Sequence, residues 1–176
     1  MNSKISTAIK QRDNPNDIFI TPKKLSKKCI DMIEFEDTDI WYDPFKNNGS
    51  YYNQFPNENK KWSEILEGKD FFDFNEEISI ISSNPPYSII DKVLKKSVEL
   101  NPRVIQYLIG INNLTCKRIE FMENAGYGIT KQHFCKVFKW YGMSVIVQFE
   151  KQKKGIITYD RIIWREDESY IYRQNG

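Results

Sequence analysis

The sequence predicts an α/β fold, a doubly wound, mostly parallel sheet with a C-terminal antiparallel hairpin. Three observations carry this prediction. Short apolar runs at 40–42, 78–81 and 104–111 read as buried strands. Alternating with them along the chain are segments whose apolar residues recur at helical spacing, at 21–33, 88–98 and 115–124. From Val137 onward the chain turns β-rich, with a Lys153-Lys154-Gly155 turn between two further runs. Strands alternating with helices build a parallel sheet covered on both faces, and ligands bind such sheets at the carboxyl ends of the strands.

The elements follow in order. A length of 176 residues suits one such domain. Residues 1–17 read as a polar arm ending in the turn Asp13-Asn14-Pro15-Asn16, and residues 18–176 as the folded domain. Thr21 as N-cap and Pro22 at the first helical position announce the first helix, whose buried face carries Leu25, Cys29, Met32 and Ile33. The strand Ile40-Trp41-Tyr42 runs into Asp43-Pro44-Phe45-Lys46-Asn47-Asn48-Gly49-Ser50, a turn rich in residues that tolerate positive φ, and Ser50-Tyr51-Tyr52 opens a short helix. A weaker strand signal, Trp62-Ser63-Glu64-Ile65, precedes Gly68-Lys69-Asp70-Phe71-Phe72-Asp73. After the strand that ends at Ser83, Ser88 with Asp91 three places on forms a capping-box pattern, and Ile89, Ile90, Val93, Leu94 and Val98 give that helix its apolar face. Pro102 lies beyond its end, and Gly126 to Gly128 close the next helical unit. Residues 145–149 and 156–164 are expected to pair as the closing hairpin.

Composition sets bounds on function. A net charge of +2 selects no partner by itself. Lysines cluster locally at Lys23-Lys24 with Lys27-Lys28, at Lys60-Lys61, at Lys136 with Lys139, and at Lys151 with Lys153-Lys154; each cluster reads as a solvated face or a nucleic-acid contact. No apolar run approaches the ~18 residues of a membrane span, and the polar N-terminus lacks the apolar stretch of a signal peptide, so an intracellular, soluble protein is expected. Cys29, Cys116 and Cys135 form no C-x-x-C pair, which points to free thiols in a reducing compartment. His133 is the only histidine and has no ligand-spaced neighbours, so no metal site is expected.

The chemistry concentrates at Asn84-Pro85-Pro86-Tyr87. Two consecutive prolines at a strand end remove two backbone N–H donors and fix two φ angles, which leaves a rigid corner of acceptors. Asn84 adds a side-chain carbonyl beside that of Pro85, and Tyr87 adds a flat ring. A planar substrate carrying an amino group fits this corner. Asp43, Glu64, Asp70 and Asn84 each follow a strand signal, so the fold should bring them to one crevice.

Asn84-Pro85-Pro86-Tyr87 resembles the N-P-P-Y signature of class I S-adenosylmethionine-dependent methyltransferases that modify the exocyclic amino group of adenine, and related protein-glutamine methyltransferases share it. The flanking order strengthens the likeness. Thr21-Pro22 is similar to the T-P segment that touches the cofactor in the adenine enzymes. Asp43, Pro44, Phe45 and Gly49 resemble the D-P-x-x-G-x-G turn after the first strand, with Asn47 at its first glycine position. Glu64 stands where the family has an acid for the ribose hydroxyls, and Asp70-Phe71 resembles its D-F pair around the cofactor's adenine. The resemblance spans about residues 18–150 and implies the Rossmann-like class I methyltransferase fold with S-adenosylmethionine as cofactor. Asn84, Pro85, Pro86 and Tyr87 would be catalytic, and Thr21, Asp43, Pro44, Phe45, Gly49, Glu64, Asp70 and Phe71 would hold the cofactor. A second aromatic from the late part of the domain would cover the base; Phe138 and Trp140 are expected there, with Phe134 not separable from them by sequence. The implied substrate is adenine in nucleic acid, DNA more than RNA. The same motif also suits a protein glutamine amide, and the substitution at Asn47 suits a non-catalytic nucleic-acid-binding or partner subunit. The separate target-recognition domain that many members carry finds no room here, so target recognition is expected to be loose or supplied by a partner subunit.

Overall fold

The computed structural model describes residues 19–137 and 142–160. Among them six strands, β1 (Trp41–Asp43), β2 (Lys60–Trp62), β3 (Ile80–Ser83), β4 (Val104–Gly110), β5 (Tyr127–Cys135) and β6 (Ser144–Lys151), form one sheet in the order β2-β1-β3-β4-β6-β5. The first four strands in that order run parallel; β6 is antiparallel to both β4 and β5. The chain leaves β1 for β2 on one side and returns to β3 on the other. The ends of β1 and β3 therefore flank the topological switch point, where open α/β sheets bind ligands.

Alternation along β4 divides the core. Ile105, Tyr107 and Ile109 face a cluster completed by Ile90, Val93 and Leu94 of α2 (Ile90–Glu99) and by Ile119 and Met122 of α3 (Cys116–Asn124). Val104 and Leu108 face the other cluster, where Cys29 and Ile30 of α1 (Lys23–Asp31) pack with Ile33. Each such aliphatic side chain contributes about 1.5–3 kcal/mol by leaving water. α2 stops where Asn101 takes the left-handed conformation, φ 57, just before Pro102. Thr115 caps α3 by accepting from the Arg118 N–H at 3.4 Å, and Gly126, φ 87, follows its end.

A polar row crosses the sheet under α1. Ser82 Oγ donates to Gln106 Oε1 at 3.0 Å, and Gln106 Nε2 donates to the Cys29 carbonyl at 2.9 Å and to Gln148 Oε1 at 3.2 Å. Gln148 Nε2 donates in turn to Glu150 Oε1 at 2.8 Å.

Several local expectations are corrected. The first helix begins one residue later than its sequence signal, with Pro22 in the capping position and Thr21 turned inward. The capping box at Ser88 does not form: a 3-10 turn, Tyr87–Ile89, precedes α2, and Asp91 instead takes the Arg118 guanidinium at 2.7 Å. The strand expected at 62–65 lies two residues earlier: β2 is Lys60–Trp62, and Ile65 already opens a 3-10 turn, Ile65–Glu67. The hairpin pairs β6 with β5 rather than with 156–164: residues 152–160 carry no strand, and 161–164 fall outside the described residues. Gly128 explains the arrangement, because a Cβ there would lie 2.2 Å from the Lys153 carbonyl, so this glycine lets residues 153–155 pass across β5. No helix among the described residues is long and apolar enough to cross a membrane.

Candidate active site

Asp43 ends β1 with 0 % of its surface exposed. Its carboxylate accepts from Ser83 Oγ at 2.7 Å and from the Phe45 and Tyr52 backbone N–H groups at 3.3 Å each. Burial pushes its pKa up to about 7, with nearby Glu64 adding to the rise and the three hydrogen bonds opposing it. The carboxylate thus anchors both ends of the 45–52 turn to the last residue of β3.

That turn takes the conformation its composition predicts. Asn47 and Gly49 are left-handed, with φ of 46 and 82. The Asn47 side chain folds back to donate to the Phe45 carbonyl at 3.2 Å, so an asparagine holds the position where the resembling pattern has glycine. Pairing of β1 with the β2 side continues past β2 through Ser63, whose N–H donates to the Asp43 carbonyl at 2.9 Å while its carbonyl accepts from Lys46 at 3.0 Å. This places Glu64 beneath the turn. Glu64 is 3 % exposed; one carboxylate oxygen accepts from the Asn47 N–H at 3.0 Å and the other from the Leu66 N–H at 3.2 Å. Its observed work is to hold the turn in shape.

Asp70 does not follow a strand. It caps the 3-10 turn Phe71–Asp73, accepting from the Phe72 N–H at 3.0 Å. Phe71 is 2 % exposed and packs edge-on to Phe45, ring centroids 5.2 Å apart, so these two rings belong to the core. Pro44, between Asp43 and Phe45 in sequence, is buried as well. Beside Asp70 a groove of about 670 Å³ runs along β2, lined by Trp62, Lys69 and Tyr52 among others. The Trp62 ring takes two ammonium groups, Lys46 and Lys69, each 3.8 Å from its centroid.

Asn84 follows β3 directly and is 9 % exposed. Its Nδ2 donates to Thr21 Oγ1 at 3.2 Å, while its Oδ1 is buried with no hydrogen-bond partner. Leaving a buried acceptor unpaired costs about 1–3 kcal/mol, and such atoms concentrate where a protein has a use for them. Pro85 and Pro86 are buried, both in trans linkage, and Pro86 leads in extended conformation into the turn that starts at the half-buried Tyr87.

The fold therefore gathers Thr21, Asp43, Glu64 and Asn84 at one end of the sheet, with Asp70 beside the groove along β2. Phe134, near the end of β5, is 49 % exposed; Phe138 and Trp140 lie outside the described residues. Sequence reasoning missed Ser83, which ties the two strand ends together, and Tyr51, which stands behind Thr21. A serine next to the Asn-Pro-Pro-Tyr stretch was a readable signal for the first; nothing local marked the second.

No protein-family model matches the chain, and no curated protein matches it. Solved structures do. A methyltransferase from Pyrococcus furiosus superposes with a TM-score of 0.55 at 13% identity, covering 89% of this chain and 100% of that one. Magnesium protoporphyrin IX methyltransferase from Synechocystis PCC 6803 with bound SAM gives 0.58 at 8% identity, over 83% and 92%. A modification subunit of a putative type I restriction enzyme from Vibrio vulnificus YJ016 gives 0.56 at 10% identity, over 87% of this chain and 48% of that one. These likenesses, with the sheet order and its antiparallel end, identify the architecture: the chain has the Rossmann-like fold of class I methyltransferases.

Proposed function

We propose that the protein transfers a methyl group from S-adenosylmethionine to the exocyclic amino group of adenine in nucleic acid, with DNA the preferred substrate. One observation carries the reading: Asn84, at the switch point, holds a buried acceptor oxygen without a partner beside two prolines that cannot donate. The fold neighbours leave the substrate open, since by name they act on molecules as different as a tRNA and a translation termination factor.

The residues fit the cofactor in kind. S-adenosylmethionine offers hydroxyl and ammonium donors, and Asp43 and Glu64 set two carboxylates at one strand end, with Asp70 beside the groove along β2. The turn through Pro44, Phe45 and Gly49 shapes the wall between them, with Phe71 packed behind it. When bound, the cofactor supplies an electrophilic methyl group on a sulfonium. The chain's own part is positioning. Asn84 Oδ1 and the Pro85 carbonyl accept the two N–H bonds of the substrate amine, drawing its lone pair out of conjugation and aiming it. Pro86 fixes the corner and Tyr87 stacks on the base, a contact worth about 1–3 kcal/mol. Acceleration then rests on orientation and preset dipoles, with no covalent enzyme intermediate. Phe138 and Trp140 are proposed for the other face of the base, and a partner subunit for target recognition.

Labelled methyl transfer to DNA, RNA and protein tests this directly, with wild type and Asn84→Ala side by side. Adenine-containing DNA should be labelled, and the variant should lose about 10²–10³-fold in rate. Equal transfer by the variant, or labelling of protein alone, would overturn the reading.

A further inference from the structure

Asn84 can present either its oxygen or its NH₂ group to a substrate, since the two differ by a half-turn of the amide. Only the oxygen accepts a hydrogen bond, so something must set the orientation. In the structure the amide N–H donates to Thr21 Oγ1 at 3.2 Å. Thr21 is itself buried, and the buried Tyr51 hydroxyl faces it. Tyr51 Oη lies 3.4 Å from Cys29 Sγ on α1. The four groups form one string from Asn84 into the helix.

We infer that Thr21, backed by Tyr51 and Cys29, is a positioning residue that holds the Asn84 amide with Nδ2 on the threonine and the buried Oδ1 left unpaired to accept from the substrate amine. This rests on the methyl-transfer reading above. The string itself could run in either direction, since either Tyr51 Oη or Cys29 Sγ can donate between them, and the amide decides. With the amide N–H donating to Thr21, the threonine hydrogen turns to Tyr51, and the tyrosine hydrogen turns to the Cys29 sulfur. Turning the amide over would place two N–H donors where the oxygen now finds no partner, and unpaired buried donors are rarer than unpaired acceptors. Thr21 is also held from behind: Ser26 Oγ, one turn into α1, donates to the Ser50 carbonyl at 2.8 Å, and Gln54 Nε2 donates to Ser26 Oγ at 2.8 Å. The first turn of α1 cannot drift from the segment that carries Tyr51. On this account Thr21 acts through Asn84 and not through the cofactor, in contrast to what its T-P context implies.

The test compares Thr21→Val, Thr21→Ser and Tyr51→Phe with wild type. Thr21→Val keeps the shape and loses the acceptor: kcat should fall about tenfold, the size of one hydrogen bond, while cofactor affinity by calorimetry stays unchanged. Thr21→Ser should restore transfer to within about twofold, and Tyr51→Phe, which touches no substrate, should cost about threefold in kcat. Hydrogen exchange of the Asn84 side-chain amide, read by NMR on ¹⁵N-asparagine-labelled protein, supplies a measurement independent of activity. It should be slow in wild type and in Thr21→Ser, and fast in Thr21→Val. Unchanged exchange in Thr21→Val, or a serine variant as impaired as the valine one, overturns the positioning role. A wild type that methylates no substrate defeats the functional reading instead, and the exchange rates still decide the role of Thr21.

Discussion

The Ser83 hydroxyl donates to the buried Asp43 carboxylate across 2.7 Å, so the ends of β1 and β3 are joined by side chains as well as by the sheet. Ser83→Ala removes that donor and leaves the carboxylate with two backbone partners. Stability should fall by about 1–3 kcal/mol in urea unfolding, and cofactor affinity should weaken with it because the 45–52 turn loses its anchor.

Asp43 also predicts a pH dependence. Its pKa is raised from 3.8 to about 7 by burial, so the folded state binds the proton more tightly than the unfolded chain does. The stabilisation from this group is therefore complete below pH ~4 and lost as pH rises through about 7, an effect on the order of 4 kcal/mol. Asp43→Asn carries no such titration. The difference in unfolding free energy between variant and wild type should move in favour of the variant between about pH 4 and pH 8.

Backbone strain distinguishes the two left-handed positions of the turn. Asn47→Gly should change stability by less than ~0.5 kcal/mol, whereas Asn47→Val should cost about 1–2 kcal/mol, since a β-branched residue resists φ 46. Gly49→Ala meets the same penalty and in addition places a Cβ 2.5 Å from Asn53 Nδ2, which has to move. Thermal melts of the three variants rank them.

Glu64→Gln tests whether this acid shapes the turn. The neutral amide has one acceptor oxygen where the carboxylate uses two, so either the Asn47 or the Leu66 N–H is left unpaired. A loss of about 1–3 kcal/mol is expected, together with weaker cofactor binding by calorimetry. Unchanged stability would show that Glu64 is held for the ligand alone.

Much of this arrangement was legible in the sequence because it is local. A β-branched run ending in Asn84-Pro85-Pro86-Tyr87 is unmistakably a strand followed by a corner, and Asn47 and Gly49 announce their left-handed turn. What was not legible depends on distant partners. Asp91 has a capping pattern, but Arg118 on α3 draws it away. The packing of Phe71 on the Phe45 ring, 26 positions earlier, leaves no local mark. Residues 156–160 have strand-like composition, yet β6 finds its partner in β5, whose choice depends on the whole sheet. Thr21 has the chemistry of a cap, and only the tertiary fold shows it reaching Asn84.

The polar row beneath α1 works as an index mark. Apolar contacts would tolerate that helix sliding along the sheet, but on the helix the amide of Gln106 reaches one backbone carbonyl, that of Cys29. A shift of one residue would strand a buried donor and acceptor, so the helix has one berth. Since α1 starts beside Thr21, which accepts from the Asn84 amide, the placement of Asn84 is set in part from the middle of the sheet, well away from the strand end it follows.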